Sequence, residues 1–123
     1  DCIEESATMV YNLALSFHLS SIAHNVSDYM SKAKTLYEIA AAIRTRTMNP
    51  NDLDVFKMVI LNNLGQIYHE QTDYTTARSC FGQLASQLAS LQEHDLLHWI
   101  SKEDCDGFVL NAMLEAPDLA AAA

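Results

Sequence analysis

One stretch of this 123-residue chain has a catalytic spacing: His94-Asp95-Leu96-Leu97-His98. It follows the H-E-x-x-H pattern, in which two imidazoles one helical turn apart share a face and hold zinc. Aspartate, one methylene shorter, stands where that pattern places a glutamate as general base. A third ligand would have to come from Glu103 or Cys105. The helical pattern is weak across residues 93–100, so a loop or cap segment is the competing reading. A zinc-dependent hydrolase working through His94 and His98 therefore stands behind every non-catalytic alternative. His18, His24 and His69 are scattered without metal spacing. No nucleophile elbow occurs, and Gly65, Gly82 and Gly107 are too isolated to cradle a phosphate. The residues predict no enzyme, no cofactor and no metal site.

Cys2, Cys80 and Cys105 are odd in number, far apart and without a C-x-x-C pair. That argues against a disulfide framework or zinc ribbon and for an intracellular, reducing compartment. Cys80 falls within an apolar helical pattern and reads as core filler, as do the five scattered methionines. The chain opens on Asp1 with no methionine, signal or transit segment, which reads as a processed or partial chain.

The elements that must position these residues follow from composition. Half the residues are hydrophobic, 19% are charged and the net charge is −9. This fits one folded domain over residues 1–123 and excludes a disordered tail. Three glycines and two prolines are too few for the turns of a small all-β domain. No apolar run of 18 residues exists, so no membrane insertion is expected. An acidic chain repels phosphate backbones, which argues against nucleic acid as a partner. The charge is uneven: residues 6–92 balance, whereas residues 93–123 hold seven acids against Lys102 alone. Lys32, Lys34, Arg44 and Arg46 share one expected helix and read as a solvated face.

Helical periodicity predicts an all-α chain. A first helix over residues 4–24 carries Ala7, Val10, Leu13, Ala14, Phe17 and Ile22 as its apolar stripe. After a break at Asn25-Val26, Ser27 is the expected N-cap of a second helix reaching residue 47, with Asp28 and Lys32 as a four-apart ion pair. Met48-Asn49-Pro50-Asn51 breaks the pattern. Asp52 is the expected cap of a third helix over 53–71, and Asp73 of a fourth over 74–91. Ser101-Lys102-Glu103-Asp104 resembles a capping box opening a fifth helix, which ends before Ala116-Pro117.

The third and fourth helices hold Leu61, Leu64-Gly65 and Tyr68, then Ala77, Phe81 and Ala85 after a short turn. This set resembles the tetratricopeptide repeat (TPR), a 34-residue helix–turn–helix with a W-x2-L-G-x2-Y…A-x3-F signature. Leu61 takes the tryptophan's place, Leu84 stands where the family has alanine, and the terminal proline is missing. Gly65 and Ala77 are small where two antiparallel helices must cross closely, and Tyr68 and Phe81 fill the space beside the crossing. The first two helices echo the set with Val10, Leu13-Ala14 and Phe17, then Ala33, Tyr37 and Ala40. Seven further residues separate Phe17 from Ala33 than separate Tyr68 from Ala77, close to two helical turns. The segment 106–113, after Asn-Asn-Leu-Gly-x-Ile-Tyr, is also similar to that of a set of TPR-like proteins in diatoms.

The resemblance implies antiparallel helical hairpins of TPR-like solenoid type, a lengthened one over 4–47 and a second over 52–91. Two repeats are fewer than such a stack needs, so the helix at 101–115, with Phe108, Val109, Ala112 and Met113, is the expected cap. It further implies that the first helix of each pair lines a concave groove. That places Tyr11, Asn12, Leu15, His18 and Leu19 in the groove from the first copy, and Asn62, Asn63, Gln66, His69 and Glu70 from the second. Carboxamides suit an extended peptide, because each can donate to and accept from its backbone. A carboxylate clamp is not expected, since Tyr11 and Leu15 stand where it needs a lysine and an asparagine. The function implied is a non-catalytic adaptor or assembly module binding a protein or peptide. The alternative is a structural helical subunit of a larger complex with no peptide groove.

Overall fold

A computed structural model describes residues 2–49 and 53–115. Five α-helices follow in order: α1 (Cys2–His24), α2 (Ser27–Thr47), α3 (Val55–Glu70), α4 (Tyr74–Glu93) and α5 (Lys102–Glu115), with a 3-10 turn (Leu97–Trp99) before α5. No strand forms among the described residues. No helix among them is long and apolar enough to cross a membrane. The chain divides into two compact units, Asp1–Asp52 and Leu53–Ala123. α1 packs on α2 in the first; α3 packs on α4, and α4 on α5, in the second.

Unit 1 is built on a line of small residues. Ala7, Ala14 and Ser21 are buried at seven-residue steps, two helical turns apart, and therefore lie along one face of α1. Ala33 and Ala40 of α2 are likewise fully buried. Small side chains let the two backbones approach, and they push the bulky residues of α1 to its flanks. The expected apolar stripe is corrected accordingly: Leu13 is 51% exposed and Ile22 65%. Tyr37 is the large side chain fully buried in this unit. Of the four cations on α2, Lys32 pairs with Asp28 at 3.4 Å, as its spacing predicts. Arg44 departs from the solvated face and reaches Glu4 of α1 at 3.8 Å.

Unit 2 holds bulk instead. Met58, Ile60, Ile67, Phe81, Leu84 and Leu91 are fully buried, and Cys80 is buried beside them. Gly65 lies beneath the Phe81 ring: a Cβ placed there would stand 2.6 Å from Cζ. Leu84, not Ala85, completes the α4 core face. α5 buries Phe108 and leaves Val109 exposed, against expectation. Asn111 of α5 donates to Asn62 Oδ1 of α3 at 2.8 Å. The side chains of Ala112 and Met113 lie outside the described residues.

α1, α3 and α4 end in the same way. A residue with positive φ follows each helix: Asn25 (54°), Thr72 (63°) and Asp95 (57°). The next amide then bonds back five residues, Val26 N to Ser21 O, Asp73 N to Tyr68 O and Leu96 N to Leu91 O. This wrap satisfies carbonyls that a helix end leaves open. Thr72 is the strained member, because a β-branched side chain resists the left-handed region. Thr72→Asn is expected to raise stability by about 0.5–1 kcal/mol, read as an upward shift of the urea midpoint; an unchanged or lower midpoint would count against the strain.

Two expected caps are corrected. Val26 holds the N-cap position of α2 without a side-chain cap bond, and Ser27 is already helical. The Val26 carbonyl instead accepts from Ser21 Oγ at 2.9 Å, tying the turn to α1. Asp54, not Asp52, caps α3 by accepting from Phe56 N at 3.1 Å; Asp52 lies outside the described residues. Asp73 caps α4 as expected, accepting from Thr76 N at 3.2 Å and from its hydroxyl at 2.8 Å. Ser101 Oγ accepts from Asp104 N at 3.1 Å, as its capping-box spacing predicts.

Candidate functional site

In unit 1 the expected groove residues divide by depth. Asn12 and Leu19 are exposed, while Tyr11 and Leu15 are half-buried. Their four-residue steps place Tyr11, Leu15 and Leu19 on one flank of α1. His18 is buried and faces inward: its Nδ1 shares a 3.1 Å hydrogen bond with the Tyr37 hydroxyl of α2. The two rings meet edge to face at 5.7 Å, and Tyr11 reaches the same tyrosine ring at 5.8 Å. Burial lowers the His18 pKa below its ordinary value, because a proton taken up there would place a cation in poorly hydrated surroundings. Its geometry makes it a packing and hydrogen-bonding group of the α1–α2 interface.

In unit 2, Asn63, Gln66 and Glu70 stand at i, i+3 and i+7 along α3, which places them on one helix face. Gln66 and Glu70 are exposed and Asn63 is half-buried. Asn62 is buried. Its oxygen accepts from Asn111, and its amide lies 3.5 Å from Asn63 Oδ1, to which it donates. His69 is half-buried, with its ring edge to face against Tyr74 at 5.1 Å. α3 thus presents a carboxamide–carboxamide–carboxylate strip braced from behind by Asn62.

The zinc-like spacing does not form a helical face. His94 is the residue that closes α4, and its Nδ1–H donates to Ser90 O at 2.7 Å. Asp95 takes positive φ, and His98 falls in the 3-10 turn. The chain therefore turns between the two imidazoles. Among the described residues, no group of three or more His, Cys, Asp or Glu side chains could hold a metal ion.

One feature was not read from the sequence. Leu13, Phe17, Ser31, Lys32, Thr35 and Leu36 line a cleft of about 450 Å3 between α1 and α2. Its signal was the four-residue spacing of Met9, Leu13 and Phe17, a second apolar line beside the small-residue one. No family model, curated protein or solved structure matches the chain.

Proposed function

We propose that the chain is a non-catalytic protein–protein interaction module of TPR-like helical hairpins, acting as an adaptor or as an assembly subunit. The observation that carries this reading is the shared packing device of the two hairpins. Each sets a very small residue on its first helix (Ala14, Gly65), and a ring four residues beyond a buried alanine on its second (Ala33 to Tyr37, Ala77 to Phe81); all six are buried. Helices fixed in this way present side chains with little ordering cost when a partner docks. Asn12 on α1, and Asn63, Gln66, His69 and Glu70 on α3, are the side chains each hairpin offers to a peptide backbone. Cys2, Cys80 and Cys105, none of them in a disulfide, suit a reducing compartment.

The test begins with unstructured peptides selected from a displayed library on the intact chain. Asn63→Ala combined with Gln66→Ala is expected to weaken the selected peptides about tenfold, two hydrogen bonds' worth. The thermal midpoint should move by less than about 3 °C, because Gln66 is exposed and the Asn62–Asn63 bond, at 3.5 Å, is long. Peptides bound equally by both proteins would remove α3 from the binding surface.

A second reading, a structural subunit without a peptide groove, is favoured by the exposed Ile3, Met9, Leu13, Leu19 and Ile22 of α1. Such a subunit is expected to aggregate when made alone, and size-exclusion chromatography over a concentration series reads this directly.

A further inference from the structure

The apolar pattern of α5 does not by itself fix how this helix lies on the rest of unit 2. Phe108, Val109 and Leu110 are consecutive, so their side chains point about 100° apart around the helix axis. Phe108 is 5% exposed, whereas Val109 and Leu110 are 38% and 59% exposed. Turning α5 by one position would cover Val109 in place of Phe108, and burial of a carbon side chain favours either arrangement in similar measure. A further contact has to choose between them.

Asn62 of α3 supplies that contact. The other buried residues of α3 have no polar side chain, and Asn62 is 9% exposed. Its Oδ1 accepts from Asn111 Nδ2 of α5 at 2.8 Å, across 49 residues of sequence. Its own amide donates to Asn63 Oδ1 over a long 3.5 Å. Leaving a buried carboxamide oxygen without a donor destabilises more than pairing it stabilises. Asn111 lies three residues beyond Phe108 and so on the same side of α5. The orientation that buries Phe108 therefore also satisfies Asn62. One turned toward Val109 or Leu110 carries the Asn111 amide away and leaves that oxygen unmet.

We propose that the Asn62–Asn111 pair is the orientation key of α5, a polar contact that selects one way for this helix to cover unit 2 and so decides which of its side chains face outward. The pair acts by selection and adds little strength, as a lone buried asparagine does when it fixes the register of packed helices. No bound peptide enters into this role, so it stands independently of the peptide-binding reading.

NMR spectra of the 15N-labelled intact chain, together with urea unfolding, test it. In the unaltered chain, residues 102–111 are expected to give one set of amide signals. Asn62→Leu combined with Asn111→Leu removes both polar groups together and should leave the urea midpoint unchanged or higher. The same variant should let a second docking of α5 rise above about 10% of the population. That docking would be read as a second set of signals, or as exchange broadening, in residues 102–111. Asn111→Leu alone, which strands the Asn62 oxygen, should lower the midpoint. Asn62→Ala combined with Asn111→Ala cannot overpack, and it repeats both readings if the leucines do not fit. One sharp set of signals in both paired variants would overturn the proposal, since apolar contacts would then suffice to place α5. So would a midpoint lowered by both paired variants as far as by Asn111→Leu, because the pair would then act through its strength.

Discussion

Phe81→Ala is expected to destabilise unit 2 by about 3–5 kcal/mol, the range for removing a fully enclosed ring. Phe81 is 1% exposed, and its ring covers Gly65. The same contact sets the sign of a smaller change. Gly65→Ala gains about 1 kcal/mol of helix propensity. The new methyl, however, would stand 2.6, 2.7 and 2.9 Å from three ring carbons. An enclosed ring cannot swing away without disturbing its neighbours, and overpacking of this kind costs about 1–3 kcal/mol. Gly65→Ala alone should therefore lower the urea midpoint, and in a Phe81→Ala background it should raise it. Trp99 is the sole tryptophan and belongs to unit 2, so its fluorescence follows the transition. If Gly65→Ala stabilises the unaltered chain, the close crossing is not what holds α3 to α4.

Unit 1 is expected to depend as strongly on Tyr37. Tyr37→Ala removes the large fully enclosed side chain of that unit and leaves His18 Nδ1 without its hydroxyl partner. By analogy with phenylalanine, the loss is about 3–5 kcal/mol. It should appear as lost amide-exchange protection in α1 and α2. The same pair gives a pH dependence with a definite sign. Burial holds the folded-state pKa of His18 below its ordinary value of about 6.5. Above that value His18 is neutral in both states and its contribution is flat. As pH falls below it, the unfolded chain takes up a proton that the native chain resists. The unfolded state then binds more protons, so stability decreases with falling pH. His18→Gln keeps a polar partner for Tyr37 and cannot titrate, so protection of α1 and α2 should fall less between pH 7 and pH 5 than in the unaltered chain. An equal fall in both would place the acid sensitivity elsewhere.

The all-helical architecture was legible because each element repeats at a helical period, and Asp73 and Ser101 are side chains whose capping role shows in their spacing. That Phe81 belongs beside the crossing at Gly65 was legible for the same reason, a glycine in an apolar helix marking a close approach; that its ring lies directly over the glycine was not. Other features were not. α1 is apolar on several faces, so periodicity alone cannot separate the buried line of Ala7, Ala14 and Ser21 from the exposed Leu13 and Ile22. What decides is how closely α2 approaches, a property of two helices and not of one. His18 and Asn62 carry polar groups and were expected at a surface; their partners, Tyr37 and Asn111, stand 19 and 49 residues away. Asp52 and Asp54 both precede α3, and only backbone direction tells which carboxylate reaches Phe56 N. The cleft at Leu13, Phe17 and Leu36 depends on two helices at once, and so was hidden in the same way.

The alanine seam of unit 1 limits how its sequence can drift. At 14, 33 and 40 a residue larger than alanine has nowhere to go, and a smaller one only loosens the join. In unit 2, room left on one helix is filled from the next, as the Phe81 ring of α4 does over Gly65 of α3. The two halves thus tolerate replacement by opposite rules: exchange of bulk in one, strict economy of size in the other.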